Sequence, residues 1–160
     1  MSASNASNRP AAPEREIVIT RIFDAPRELV FNAWTDPEQM AEWWGPEPFT
    51  NPVCELDPRP GGAWRIVIRA PDGVDYVCSG VYREVVPPER LVFSNNASDR
   101  DGNPLLEGFT TVTFAEYEGK TKLTLQTRAV GLVPGAPQML AGMDAGWNQS
   151  LDSLAAVLAS

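Results

Sequence analysis

Histidine is absent from all 160 residues. That absence removes a Ser–His–Asp triad, a Cys–His pair and an HExxH zinc site. Acid–base chemistry would have to come from carboxylates, Tyr, Cys, Lys or water. Lysine is nearly missing as well: Lys120 and Lys122 stand almost together, and the 13 Lys and Arg residues face 21 Asp and Glu, for a net charge of −8. Phosphate backbones and anionic lipid surfaces repel such a chain, which argues against nucleic acid or a membrane surface as partner. The two cysteines, Cys54 and Cys78, lie in apolar, strand-like stretches and read as reduced thiols packed as small hydrophobes. A single disulfide and a reactive thiol are the alternatives. No apolar run approaches the ~18–20 residues of a membrane span, and no cationic-then-apolar leader stands at the N-terminus. The expectation is a soluble, cytoplasmic protein. Neither GxxxxGK[ST] nor GxGxxG occurs, so no glycine loop cradles phosphate. The run Asp99-Arg100-Asp101-Gly102-Asn103 would put Ala97 and Gly108 at calcium-ligand positions, so it reads as a solvated turn. No metal or cofactor is expected.

What is present has the pattern of an α+β chain. Residues 1–15, rich in Ser, Ala, Asn and Pro, read as a disordered tail, and 16–159 as one domain. Glu16 to Phe23 is a β-branched strand. A helix follows from about Pro26 to Thr35, with Leu29, Val30, Ala33 and Trp34 on one face. A second short helix opens with Asp36 as cap, Pro37 in the first turn and Gln39 placed to reach back, and ends near Trp43 or Trp44. Strand signals come next, over Phe49–Asp57, Ala63–Ala70, Val74–Val86, Arg90–Asn95, Leu105–Tyr117 and Lys120–Val130. Gly80 suggests a bulge or bend, and Asn96 to Pro104 a polar loop. From about Pro137, Met139, Leu140, Met143, Trp147, Leu151, Leu154 and Leu158 trace one long amphipathic helix of about 30 Å. A run of strands bounded by helices predicts an antiparallel sheet of about six or seven strands with helices on one face.

A strongly bent sheet cannot close on a straight helix along its whole length, so side chains, water or a ligand must fill the gap. Ligand pockets are mainly apolar with a few placed polar groups. The candidate lining is Trp44, Phe49, Trp64, Ile66, Ile68, Tyr76, Cys78, Tyr82, Phe93, Met139, Met143 and Trp147. Gly142, Ala145 and Gly146 fit close approach to a strand, room for a guest, or equally the ordinary tolerance of small residues in the first turns of a helix. The nearest titratable candidates for a catalytic role are Glu107, Asp144, Tyr76, Tyr82 and Arg65, with no nucleophile triad among them.

Several segments resemble one known family. Ala25-Pro26-Arg27-Glu28-Leu29-Val30-Phe31, Trp34-Thr35-Asp36-Pro37, Trp43-Trp44-Gly45-Pro46, Gly61-Gly62-Ala63-Trp64, the run from Gly80 to Leu91 and Gly146-Trp147-Asn148-Gln149-Ser150-Leu151 are similar to the domain homologous to the C-terminal half of the activators of heat shock protein 90 ATPase. That domain belongs to the START and polyketide-cyclase-like (SRPBCC) superfamily. The resemblance implies a helix-grip fold, with a curved antiparallel sheet around a long C-terminal helix and a cavity between them. It also implies a function in binding an apolar or aromatic small molecule or a lipid. The alternatives it implies are a stress-response co-chaperone module acting on a chaperone ATPase and, more remotely, a cavity enzyme of cyclase or hydrolase type. It is compatible with a monomer or a homodimer.

Overall fold

The structure is a computed structural model that describes residues 13–45 and 48–159. Most of the expected tail lies outside the described residues. Ordered chain enters a first strand, β1 (Glu14–Phe23), which starts slightly earlier than expected because Glu14 and Arg15 pair with Val130 and Ala129. Two short helices follow, α1 (Arg27–Thr35) and α2 (Pro37–Trp43). Asp36 caps α2 by accepting from the Glu38 N–H at 3.0 Å, and Gln39 reaches back to the Asp36 carboxylate at 3.1 Å rather than to its backbone. Leu29 departs from the expected face: it is 52% exposed, because the inward arc of α1 is carried by Val30, Phe31, Ala33 and Trp34.

The remaining strands are β2 (Thr50–Leu56), β3 (Ala63–Arg69), β4 (Asp75–Val86), β5 (Arg90–Asp99), β6 (Pro104–Tyr117) and β7 (Lys120–Gly131). They form one seven-stranded sheet in the order β1-β7-β6-β5-β4-β3-β2, antiparallel at every junction. This is the expected curved α+β helix-grip architecture. Two strand expectations need correction. β5 continues through the polar stretch expected to be loop, since it is hydrogen-bonded on both sides, Tyr76 opposite Asp99 and Ala97 opposite Leu106; ladder pairing outweighs the weak strand preference of Asn and Ser. The register of β4 on β5 breaks between Tyr82 and Glu84, not at Gly80.

The C-terminal helix is also not continuous. It is split into α3 (Ala136–Ala141) and α4 (Met143–Ala159), with Gly142 between them. Arg15 of β1 holds the break: its guanidinium donates to the carbonyls of Leu140 at 2.8 Å and Ala141 at 3.0 Å, and to the Asp144 carboxylate at 3.1 Å. Farther along, Arg21 donates to the carbonyl and side-chain oxygens of Asn148 and pairs with Asp152 at 2.8 Å. These contacts fix α4 along β1, while Leu151 and Leu154 turn into the core.

Between helices and sheet lies an aromatic core that takes in all five tryptophans. Trp34 sits at its centre, 4.7 Å from Trp43 and stacked on Trp147 at 6.3 Å. Trp44 bridges Trp147 at 5.3 Å and Trp64 at 5.7 Å. Edge-to-face contacts of this kind contribute about 0.5–1.5 kcal/mol each beyond the area they bury.

Candidate functional site

The space between α4 and the sheet is divided by these indoles. On one side the core is closed. Ile66, Tyr82 and Phe93, expected to face a ligand, are buried there with Trp34, Met40 and Leu91, around a residual void of only about 10 Å3. A void that small holds one water at most. Trp34 of α1 fills the volume that the bent sheet would otherwise leave. Burial pushes the Tyr82 hydroxyl well above its ordinary value, reinforced by nearby Cys54 and Asp57.

On the other side a hollow of about 200 Å3 remains, lined by Trp44, Gly45, Trp64, Ile68, Cys78, Asn95, Asn96, Ala97, Leu106, Ala129, Met143, Gly146, Trp147 and Ser150. One wall is the first turns of α4: Met143, Gly146, Trp147 and Ser150 follow the i, i+3, i+4, i+7 spacing of a single helix face. The opposite wall is the inward face of β3 to β7. Of the expected lining, the structure brings together Trp44, Trp64, Ile68, Cys78, Met143 and Trp147. Phe49 and Tyr76 lie apart, packed on one another at 6.4 Å. Met139 points to solvent, 37% exposed on α3, because the break at Gly142 takes it off the face that Met143 occupies.

Gly45 and Gly146 shape the hollow. Gly45, at φ +90°, turns the chain directly after Trp44, where an added Cβ would stand 3.2 Å from Ile68 Cγ2; only glycine adopts this conformation without strain. Gly146 serves by size: a Cβ built there would meet nothing within 4 Å. No strand comes close there, and the space beside it is open.

A polar corner interrupts the apolar lining. Thr110 donates to Asn95 Oδ1 at 2.7 Å and accepts from the Thr127 hydroxyl at 2.8 Å, whose single proton is shared with the more distant Phe109 carbonyl at 3.3 Å. Thr110 and Thr127 are each 1% exposed. Sequence reasoning missed this corner because β5 was ended at Asn95. The signal was there: Phe93, Asn95 and Ala97 share one parity, as do Thr110, Val112 and Phe114.

None of the titratable candidates for catalysis lines the hollow. Asp144 is bound to Arg15 at the rim of the helix break, Glu107 stands on the outer sheet face beside Phe109 and Arg128, and Arg65 lies 3.6 Å from Glu55. Cys78 is the titratable group among the described lining residues. Burial pushes its thiol up to about 11, a hydrogen bond from Trp44 pulling the other way. Cys54 is likewise pushed up to about 11, by burial and then by Asp36 and Glu55. The two thiols lie on either side of Ile66, opposite it on β2 and β4. Two strand spacings, about 9–10 Å, separate them, beyond the reach of a disulfide. Among the described residues no group of acidic, Cys or His side chains could hold a metal. No helix there is long and apolar enough to cross a membrane.

The same architecture occurs in solved proteins. A Chromobacterium violaceum protein is 32% identical, with a TM-score of 0.75 over 89% of this chain and 96% of its own. The AHSA1 protein of Silicibacter pomeroyi is 28% identical, with a TM-score of 0.76 over 91% and 98%. An Arthrobacter aurescens protein solved by NMR is 26% identical, with a TM-score of 0.75 over 90% and 86%. Among curated proteins none matches the sequence. The sheet gripping α4, the two short helices after β1 and the tryptophans that divide the interior all fall within residues 24–159 or pair directly with them, and that span matches the family described as Activator of Hsp90 ATPase homolog 1-like protein; the chain belongs to this family.

Proposed function

We propose that the protein binds a small, mainly apolar molecule in the hollow between the first turns of α4 and the sheet. The observation that carries this is Gly146. A helix-interior glycine is about 1 kcal/mol less favourable than alanine, and this one faces open space in a wall built mainly of indole rings and other apolar side chains. An occupant would offset that cost by taking the apolar walls out of water. The volume suits a ring compound and not a whole lipid, since ligand pockets for larger molecules run to ~300–1,000 Å3.

Indane, a fused-ring hydrocarbon, is a suitable probe, with tryptophan fluorescence as the readout because Trp44, Trp64 and Trp147 line the space. The wild-type chain is expected to bind it saturably. Gly146→Leu, which projects a side chain into the hollow, is expected to abolish binding without lowering Tm. A wild type that ignores indane, or a variant that binds it equally well, would overturn the proposal.

A cavity enzyme gains no support from the lining, whose described residues present no acid or base that titrates near neutrality. A chaperone partner comes second as well. The exposed apolar side chains of the outer sheet face, Val18, Ile22 and Phe109, are set among charged and polar neighbours: Ile22 opposite Lys122, Val18 opposite Gln126 and Phe109 opposite Arg128.

A further inference from the structure

We infer that the occupant of the hollow is an uncharged ring compound carrying a hydrogen-bond acceptor, such as a small ketone, and that Asn95 recognises the acceptor through its Nδ2 hydrogens. This rests on the hollow being a ligand site. Size, charge and polarity each narrow the class.

Size comes from volume. An apolar cavity of ~150 Å3 accepts benzene, so about 200 Å3 accepts a ring with a fused or short substituent, about nine or ten heavy atoms. Charge comes from the walls. Every described lining residue is neutral at pH 7, Cys78 included, and a desolvated ion with no counter-charge costs several kcal/mol.

Polarity comes from the Asn95 amide. Its carbonyl end is tied down by the Thr110 hydroxyl at 2.7 Å, and Thr110 is held in turn by Thr127. Both threonines belong to the buried wall of the sheet. The amide is therefore oriented, with Oδ1 toward the sheet. Its Nδ2 end, in a residue that lines the hollow, donates to no protein acceptor among the described residues. Asn95 is half-buried, so water can serve Nδ2 while the hollow is empty; once an occupant covers it, a donor left unpaired costs about 1–3 kcal/mol. Ser150, 5% exposed on the facing helix, offers a second hydroxyl with no protein partner among the described residues. A hydrocarbon would bury both groups unsatisfied. A carbonyl oxygen would give Asn95 Nδ2 an acceptor.

The test uses the full chain and three probes of nearly one shape: indane with no polar atom, 1-indanone with an acceptor, and indole with an N–H donor. Dissociation constants come from tryptophan fluorescence or, for indole, from NMR titration. The Asn95 side-chain amide is followed in 15N–1H spectra of the wild type. Expected is a shift of the Asn95 Nδ2 resonances on adding 1-indanone but not indane. Asn95→Leu should weaken 1-indanone about three- to tenfold relative to its effect on indane. If indane binds but Asn95→Leu does not discriminate, or if the Nδ2 resonances ignore 1-indanone, the inference falls and the ligand site stands. A loss confined to indole would also overturn it, by showing Oδ1 turned outward. If no probe binds, the ligand site itself falls and takes the inference with it. The wild-type spectra decide the matter even if Asn95→Leu fails to fold.

Discussion

The indole N–H of Trp64 donates to the backbone carbonyl of Ser94 at 3.0 Å, crossing directly over Gly80. Trp64 is on β3 and Ser94 on β5, so the bond spans the strand between them. It is possible because Gly80 has no side chain: a Cβ there would stand 1.7 Å from the Ser94 oxygen and 2.6 Å from Trp64 Nε1. The bond satisfies a buried donor and fixes the indole plane that separates the packed core from the hollow. Gly80→Ala must therefore displace the ring or part β4 from β5. It is expected to destabilise the fold by about 2–3 kcal/mol, measured by chemical denaturation. A Gly80→Ala protein as stable as wild type would show that the ring can swing away without loss.

Arg15 joins β1 to both sides of the helix break. It satisfies the last carbonyls of α3 and pairs with Asp144 in the first turn of α4. The ion pair alone is half-exposed and weak; the two carbonyl bonds add charge-assisted hydrogen bonding. Arg15→Met is expected to cost about 1–2 kcal/mol overall. Hydrogen exchange should speed up specifically across Leu140–Trp147, the segment that walls the hollow, and indane affinity should fall with it. Uniform loss of protection across the whole sheet would contradict this local role.

Both thiols are held in the protonated form. Burial raises Cys78 and Cys54 from 9.0 to about 11, so the folded state retains their protons where the unfolded chain has begun to lose them. Their contribution to stability is complete below about pH 9 and is lost as pH rises from there toward about 11. The denaturation midpoint is expected to fall more steeply between about pH 8.5 and pH 10.5 in wild type than in Cys78→Ala. At about pH 8 the native thiols should react with a disulfide reagent far more slowly than unfolded ones, because the thiolate is the nucleophile. Fast labelling of the native protein at that pH would refute the assignment.

Strand parity was the most informative signal in the sequence. The alternation of Trp64, Ile66 and Ile68 with Arg65, Val67 and Arg69 placed one face inward, and the structure puts Trp64 and Ile66 in the interior. Parity says which way a side chain points and nothing of what stands opposite. Trp34 comes from α1, far away in sequence, and its stacking on Trp147 decides that Phe93 and Tyr82 are packed core while Cys78 and Ile68 line open space. The break at Gly142 was hidden for a similar reason. The apolar stripe from Met139 to Leu158 keeps helical spacing through it, and the group that stabilises the break is Arg15, from the opposite end of the chain.

Two glycines of the same interior should respond to alanine in opposite directions. At Gly80 the new methyl meets backbone and ring. At Gly146 it meets nothing within 4 Å, its backbone is ordinary helix, and alanine both raises helix propensity and restricts the unfolded chain. Gly146→Ala is therefore expected to stabilise the protein by about 0.5–1 kcal/mol. The same methyl takes volume from a space of about 200 Å3, so indane binding should weaken while Tm rises. Such an exchange of stability for capacity is what a position kept open for a guest predicts. A packing defect with no occupant would give the stability gain with no binding to lose. Thermal melts of the variant and wild type, with and without indane, separate the two: the ligand-induced rise in Tm should be large in wild type and reduced in Gly146→Ala, and an equal rise in both would mean that Gly146 does not border the bound probe.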